Sequence, residues 1–407
     1  IVYNQHDVKE TLKFFNHSLE QIRFRQQLTE KYNRDFMNHN DGKIGKDYFQ
    51  MRLQEAGVQL YKMVGGKKTL QQTPRSIINV KDCLFNYYDF KRPEFIAVLE
   101  WFSKQRITET KGVFSDIEEH QLGDVAKYAA LVEKRKKFKS KPSEKDIVEF
   151  KKEHPLGWIE EEILKATEWL FDEQGNHVLE YPLDDDGNPD ILKKPKKVRI
   201  NKKSYWGCWK VAENLNVVVD GFRFDFGTGG IHGSLENKIA RSTKKYKLID
   251  ADVSSMYPNI AISNRVYPEH LTEKFCDIYE DVYNQRKSFA KGTAENAMLK
   301  LALNSVYGDS NNKYSVFYDP KYTMNITIGG QLTLSMLIDM YLSANIGFKM
   351  VMANTDGITF CVKRKDFDKM MEVSKEWQSI VKLELEQVLY NRMFIRDCNN
   401  YISEYLE

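Results

Sequence analysis

Apolar positions near the amino terminus recur in steps of three and four residues, which is the helical period. These positions are Leu12, Phe15, Leu19, Ile22 and Leu28. Side chains spaced in this way lie on one face of a helix. The stretch from Val8 to about Tyr61 is therefore predicted to be helical.

The pattern changes from Val217 onward. Short apolar runs bounded by turn residues occur at Val217–Val219, Lys247–Ile249 and Met350–Met352, as is typical of buried strands. Long stretches with helical spacing lie between the last two, at Leu271–Val306 and Met324–Leu342. Strands and long helices in this order predict an α+β fold.

Residues 112–200 are more polar and are predicted to be an insertion or linker. The run from Lys134 to Lys145 carries seven Lys or Arg residues and one Pro. Such a run is typical of a solvated loop or exposed helix end, and the alternative is a contact with nucleic-acid phosphates. The sequence does not decide between the two.

Composition narrows the class of protein. A chain of 407 residues with 42% hydrophobic residues can form two or three domains with substantial cores. A net charge of +3 is too small to indicate a polyanionic partner, so any such partner must be recognised by local clusters. The longest apolar stretch, Leu332–Phe348, is interrupted by Asp339 and falls short of the roughly 18 residues that span a bilayer. No membrane partner is predicted.

Two acidic residues follow predicted strands. Asp252 comes three residues after the predicted strand at 247–249, and Asp356 comes four residues after the predicted strand at 350–352. Either residue alone is typical of a turn. Carboxylates from two neighbouring strands can hold a pair of magnesium ions about 3.5–4 Å apart, as in phosphoryl transfer.

A helical face with a cation, an amide and a ring lies between the two acids. Lys300, Asn304 and Tyr307 are four and three residues apart, and Arg286 and Lys287 precede them. Such a face can hold a triphosphate and place a ring against a base. Taken alone, it is more typical of an amphipathic helix with a solvated Lys.

Together these segments resemble the polymerase module of B-family DNA polymerases. The family's Asp-x-x-Ser-Leu-Tyr-Pro motif appears as Asp252–Pro258, with Met256 in place of Leu. Its Lys-x-x-x-Asn-Ser-x-Tyr-Gly motif matches Lys300–Gly308 at every fixed position. Its Asp-Thr-Asp-Ser motif appears as Asn354–Gly357, with Asn in place of the first Asp and Gly in place of Ser.

Three weaker resemblances extend the match. Phe226–Gly230 is similar to the Tyr-x-Gly-Gly segment that touches the template strand, with Phe for Tyr. Arg396–Tyr401 is similar in position to the Lys-Lys-x-Tyr primer-grip motif but lacks the lysines. Tyr3–Asp7 looks like the third motif of the proofreading exonuclease, Tyr-x-x-x-Asp.

The resemblance implies an α+β fold in which a palm of antiparallel sheet and helices carries short helical fingers, with a helical amino-terminal part. The expected segments are the end of an exonuclease domain with a connecting segment (1–111), the insertion or linker (112–200), the first part of the palm with motif A (201–264), the fingers with motif B (265–306) and the second part of the palm with motif C (307–407). The thumb is expected to be absent. Proofreading by this chain alone is not expected, because the other exonuclease motifs would lie upstream of Tyr3.

The resemblance also implies site residues. Asp252, Asp356 and the backbone carbonyl of Val253 would bind two Mg²⁺ ions. The nucleotide would contact Ser255, Met256, Tyr257, Arg286, Lys300, Asn304 and Tyr307, with Tyr257 excluding a 2′-hydroxyl. DNA would contact Gly229, Gly230, Gly308, Thr355 and Tyr401.

The activity implied is DNA-directed DNA synthesis in the cytoplasm of a bacterium or an infected host, of the phage or mobile-element type. The expected partners are a DNA primer–template and deoxynucleoside triphosphates, with other polymerase fragments or replication proteins as further candidates. The main alternative is a catalytically silent module that binds primer–template and needs a partner chain. A metal-dependent nuclease would leave the face from Lys300 to Gly308 unexplained, and a reverse transcriptase would normally carry paired Asp residues in place of Asn354-Thr-Asp356.

Overall fold

The computed structural model describes residues 2–108, 110, 122–129, 132–138, 140–153, 158–184, 187–190, 193–211 and 215–406. The described chain forms two compact units. One contains residues 1–113 and 217–407, and the other contains residues 114–216. The side chain of Tyr3, the first residue of the predicted exonuclease motif, lies outside the described part.

The larger unit begins with helices and short hairpins. Its first elements are α1 (Val2–Tyr32), α2 (Asp41–Glu55), β1 (Tyr61–Val64), β2 (Lys67–Leu70), β3 (Ile78–Asn79), α3 (Pro93–Lys104) and β4 (Arg106–Ile107). Asn40 is the N-cap of helix α2, and its side chain accepts a hydrogen bond from the Lys43 N–H. The predicted helical character of the amino-terminal part is confirmed.

The smaller unit contains a three-stranded sheet. Its elements are β5 (Val132–Phe138), α4 (Glu144–Glu153), β6 (Trp158–Trp169), β7 (Leu179–Glu180), β8 (Lys196–Lys197) and β9 (Arg199–Val211). Strand β9 pairs with both β5 and β6. The structural boundary therefore lies near residue 216 and not at the predicted residue 200, because β9 continues the sheet of this unit to Val211. The expectation of a loop or helix end from Lys134 was wrong for residues 134–138, which form a strand.

The carboxyl-terminal half of the larger unit carries the main sheet and its helices. The strands are β10 (Leu215–Val219), β11 (Phe222–Phe226), β12 (Ile231–Ser234), β13 (Lys238–Arg241), β14 (Tyr246–Val253), β15 (Phe348–Thr355), β16 (Gly357–Lys363), β17 (Leu385–Asp397) and β18 (Asn400–Tyr405). The helices are α5 (Met256–Ser263), α6 (Lys274–Ser288), α7 (Ala294–Ser310), α8 (Pro320–Ser343) and α9 (Phe367–Val381). The predicted α+β class is confirmed.

The strand order of the main sheet brings distant parts of the sequence together. It runs β10-β11-β12-β15-β16-β14-β17-β13, and β18 pairs with β17. Strand β14 lies between β16 and β17 and runs antiparallel to both. Strand β14, which contains Asp252, and strand β15, which precedes Asp356, are therefore separated only by β16.

Helix α8 forms the centre of the core. Nearly all of its residues are buried, and they include Asp339. The carboxylate of Asp339 accepts hydrogen bonds from the backbone N–H groups of Lys91 and Arg92, at 2.9 and 2.8 Å, just before α3. The acid that interrupts the longest apolar stretch thus satisfies backbone donors that would otherwise lack partners. No helix in the described residues is both long and apolar enough to cross a membrane.

Candidate active site

The two predicted acids meet at one edge of the main sheet. Asp252 stands at the end of β14, directly opposite Gly357 at the start of β16. Asp356 occupies the tight turn between β15 and β16. Its carbonyl accepts a hydrogen bond from the Val253 N–H at 2.8 Å. Adjacent strands and this backbone bond therefore hold both acids in place.

The turn that presents Asp356 has an unusual backbone. Thr355 has a φ of +60°, in the left-handed region that β-branched residues seldom adopt. Ser255, three residues after Asp252, has a φ of +45°. Backbone of this kind clusters at functional sites, where the surrounding structure offsets its cost.

Asn354, which departs from the family's first Asp, has a structural explanation. Its side-chain Nδ2 donates a hydrogen bond to the Cys398 carbonyl at 3.3 Å. A carboxylate at this position would face that carbonyl oxygen without a donor. The amide therefore suits its surroundings, and Asp356 supplies the carboxylate of this turn.

Several negative charges converge on Asp252. Partial burial, followed by the neighbouring carboxylates of Asp250, Asp356 and Glu386, raises the pKa of Asp252 to about 6. Burial also raises the pKa of Asp356. Asp250 accepts hydrogen bonds from the Thr359 hydroxyl at 2.6 Å and the Tyr390 hydroxyl at 2.9 Å. Asp250 is thus engaged by two donors, and the exposed carboxylates of Asp252, Asp356 and Glu386 carry the negative charge that is open to a ligand.

This donor set fits Mg²⁺ in chemical type. The described residues contain no group of three or more His, Cys, Asp or Glu side chains that could hold a metal ion. Mg²⁺ is usually held by one or two carboxylates, with substrate phosphates and water completing its shell. Two acids that repel each other, next to the Val253 carbonyl, match that pattern.

A cavity of about 470 Å³ brings cations together with Asp252. Its lining includes Asp252 and Ser255, the cations Arg286, Lys287 and Lys291 of α6 and the following loop, and the acids Glu384 and Glu386. Lys287 forms an ion pair with Glu384 at 3.4 Å. Nη1 of Arg286 donates a hydrogen bond to the Ser255 hydroxyl at 3.3 Å. Lys291 was not among the residues predicted from sequence, since a single Lys after a helix carries no motif.

Two aromatic rings in contact with each other lie near Asp356. The rings of Tyr257 and Tyr307 have their centroids 4.4 Å apart and are tilted by 54°. Burial raises the pKa of both hydroxyls, so both are neutral at physiological pH. Met256 is buried, and its methyl group lies so close to Gly330 of α8 that a side chain at that glycine would collide with it.

None of the predicted motif B residues, Lys300, Asn304, Tyr307 and Gly308, lines the Asp252 cavity. Lys300 is exposed and lines a different cavity, together with Arg23 of α1 and Asp41 of α2. Asn304 and Gly308 are exposed, and Tyr307 is half-buried. In this structure Tyr307 contacts Tyr257, whereas Lys300 faces the amino-terminal helices.

A glycine-rich loop between β11 and β12 contacts the turn that carries Asp356. Ile231 pairs with Thr355 in the sheet. A Cβ atom at Gly230 would lie 2.8 Å from the Thr355 Cα. Only glycine fits this approach between two backbones. The predicted DNA contacts Gly230 and Thr355 are thus neighbours, and Gly229 beside them is exposed.

Gln331 of α8 forms hydrogen bonds with the backbone of this loop. It was not among the residues predicted from the sequence. Its Oε1 accepts from the Gly227 N–H at 2.9 Å, and its Nε2 donates to the carbonyls of Gly227 and Gly229 at 2.8 and 2.7 Å. The residue is completely buried. The available signal was an amide within the largely apolar stretch of 324–342, which also contains Asn325, because a buried amide requires partners.

Replacement of Gln331 by Leu is expected to lower the free energy of unfolding by about 2–4 kcal/mol, since buried backbone groups of the loop lose their partners. Chemical denaturation measures this change. Gln54→Leu, at an exposed position of α2, is the matched control and is expected to shift stability by less than about 0.5 kcal/mol. Equal stabilities for the two variants would contradict a holding role for Gln331.

Tyr401 lies near the acids, on the hairpin of β17 and β18. It pairs with Ile395 and is 43% exposed. Partial burial, followed by the charges of Asp250, Asp252 and Asp356, raises the pKa of its hydroxyl. An exposed ring thus stands beside the acidic edge of the sheet.

Asp252→Asn is expected to stabilise the metal-free protein at neutral pH. The pKa of Asp252 rises from 3.8 to about 6 on folding, so the folded protein binds this proton more tightly than the unfolded chain. Ionisation therefore weakens the fold progressively from about pH 4 to about pH 6, and the penalty is complete above that range. We expect a Tm about 1–3 °C above wild type at pH 7.5 in EDTA, and no difference at pH 3.5. Glu372→Gln, at an exposed position within α9, should match wild type at both pH values. An equal Tm for Asp252→Asn and wild type at pH 7.5 would contradict the raised pKa of Asp252.

Comparisons with known proteins give limited information. No family model matches the chain, and no curated protein matches it. Among solved structures, the chain is similar to the family B DNA polymerase from the hyperthermophilic archaeon Pyrobaculum calidifontis, with 16% identity and a TM-score of 0.29. The similarity covers 42% of this chain and 28% of that polymerase. A likeness at this level assigns neither family nor activity.

Proposed function

We propose that this chain carries out template-directed DNA synthesis, joining deoxynucleotides to a primer 3′-hydroxyl. The observation that supports the proposal most directly is the cavity that Asp252 lines together with Arg286, Lys287 and Lys291. Asp356 lies close to Asp252 at the same edge of the sheet. Acids that can hold metal ions, together with cations that can hold phosphates, are what nucleotidyl transfer requires.

Two groups of residues would bind different parts of the nucleotide: the cations of the cavity and the pair of tyrosines near Asp356. Arg286, Lys287 and Lys291 would bind the negatively charged triphosphate. Tyr257 and Tyr307 would form an apolar floor beneath the sugar and the base. Such contacts position the α-phosphate, and positioning with charge neutralisation supplies most of the rate in phosphoryl transfer.

Asp252, Asp356 and the Val253 carbonyl would hold two Mg²⁺ ions. When bound, such ions stabilise the attacking and leaving oxygens of an in-line displacement. In the reaction, the primer 3′-oxygen would lose its proton and form a bond to the α-phosphorus. The bond between the α-phosphorus and the oxygen that bridges to the β-phosphorus would break, which releases pyrophosphate. The primer–template would lie along the loop of Gly229 and Gly230, with Tyr401 near the primer end.

One observation favours the silent primer–template module as the second candidate. Lys300, the cation of motif B, lines the cavity beside α1 and not the one that contains Asp252. A chain that held Lys300 there permanently would bind DNA without completing the triphosphate site.

Extension of a labelled DNA primer on a longer template separates these functions. With Mg²⁺ and all four deoxynucleotides, the proposal predicts products up to the template length. A bound primer that stays unextended would favour the silent module. A shortened primer would indicate a nuclease.

A further inference from the structure

The amino-terminal helix α2 packs directly on the helix that carries motif B. Its buried residues recur on one face, namely Ile44, Gly45, Tyr48, Phe49, Gln50 and Leu53. The two helices come very close at Gly45, where a Cβ atom would lie far inside the contact distance of the carbonyl carbon and oxygen of Leu301 in α7. The obstacle is backbone, so no change of rotamer relieves it.

Aromatic packing joins α2 to the other helix of the same pair. The ring of Phe49 is fully buried and lies 5.5 Å from the ring of Phe275 and 5.3 Å from that of Tyr279, both in α6. Its edge-on contact with Tyr279 is a favoured arrangement. Helix α2 therefore contacts both α6, which carries Arg286, and α7, which carries Lys300.

Polar contacts fix the register of this packing at both ends of α2. Lys46 forms an ion pair with Asp309 near the end of α7, at 2.6 Å. Arg52 forms another with Asp281 of α6, at 2.7 Å, and also donates to the Tyr48 hydroxyl. These contacts are partly buried, so solvent screens them less than surface pairs.

We propose that α2 is a positioning element of the nucleotide site, in which Gly45 sets the distance between α2 and the motif B helix. This inference rests on the proposed function. By this inference, α2 (residues 41–55) and the helices within residues 274–310 together position the nucleotide, although more than two hundred residues separate them in sequence. Gly45 acts through α7 and touches neither substrate nor metal.

Gly45→Ala in the full chain tests this role. The added methyl group must push α2 and α7 apart by about 1 Å, and misplacements of that size cost up to about a hundredfold in rate. We expect the KM for deoxynucleotide to rise about tenfold, with the Kd for primer–template within about twofold of wild type. We also expect faster amide hydrogen exchange across residues 294–310.

Gly42→Ala is the matched control, because Gly42 is exposed near the start of the same helix and a Cβ there meets only the Asn40 side chain at 3.7 Å. It should leave KM and exchange unchanged. A folded Gly45→Ala protein with wild-type KM and wild-type exchange across 294–310 would overturn the proposal. So would a higher KM that Gly42→Ala shares.

If Gly45→Ala does not fold, Lys46→Ala takes its place, because it removes only the ion pair with Asp309. Faster exchange at the end of α7, with a KM about twofold higher, would support the proposal, and no change in either would overturn it. If the wild-type chain extends no primer, the proposed function fails by itself. The exchange measurement then still decides whether α2 positions α7.

Discussion

Asp356→Asn is expected to reduce nucleotide incorporation by at least about a thousandfold. Asp356 sits in the turn between β15 and β16, where its backbone is bonded to Val253 and its carboxylate adjoins Asp252. Loss of a ligand to a catalytic metal removes several kcal/mol of transition-state stabilisation, and each 1.36 kcal/mol corresponds to tenfold in rate. Single-turnover incorporation of one deoxynucleotide measures the change.

Primer–template binding should persist in Asp356→Asn, because the substitution keeps the shape of the side chain and removes a negative charge that repels phosphates. Asp368→Asn, at an exposed position of α9, controls for loss of a carboxylate elsewhere and should retain wild-type rates. Incorporation by Asp356→Asn within tenfold of wild type would exclude this acid from the reaction centre.

Gly357→Ala is expected to lower incorporation by about a hundredfold, in line with the cost of a 1 Å misplacement at a reacting group. A Cβ atom at this position would lie far inside the contact distance of the Asp252 carboxylate, and 3.2 Å from the Ala251 carbonyl. Gly357 does not have a positive φ, so alanine adds no backbone strain. The displaced group is therefore the carboxylate of Asp252, and the rate of single-nucleotide incorporation reports its displacement.

A double-mutant cycle isolates that collision. Gly357→Ala should destabilise the wild-type protein but have little effect on stability in an Asp252→Ala background, where the carboxylate is missing. An equal loss of stability in both backgrounds would show that the methyl group meets something other than Asp252.

Local patterns were sufficient for the fold class and for the positions of the acids. The apolar runs at 217–219, 247–249 and 350–352 all lie in strands, as their short length and flanking turn residues predict. Asp252 and Asp356 follow two of those strands. Once the strands share a sheet, their ends place the acids at one edge.

Contacts between distant segments could not be predicted in this way. The position of Gly45 against Leu301 and the cavity that Lys300 shares with Arg23 depend on how helices far apart in sequence pack. Strand β5 was missed because its lysines hide any alternation, and its pairing with β9 determines its conformation. The sequence shows Gln331 only as a polar residue within a largely apolar helix. Its hydrogen bonds to Gly227 and Gly229 depend on how the loop packs against that helix.

The most direct test of the central claim is single-nucleotide incorporation on four templates that differ only in the first unpaired base. With the wild-type chain, Mg²⁺ and each deoxynucleotide in turn, the account predicts extension by one residue only where the nucleotide complements that base. Extension that ignores the template base, or none on any template, would contradict template-directed synthesis at the site of Asp252 and Asp356.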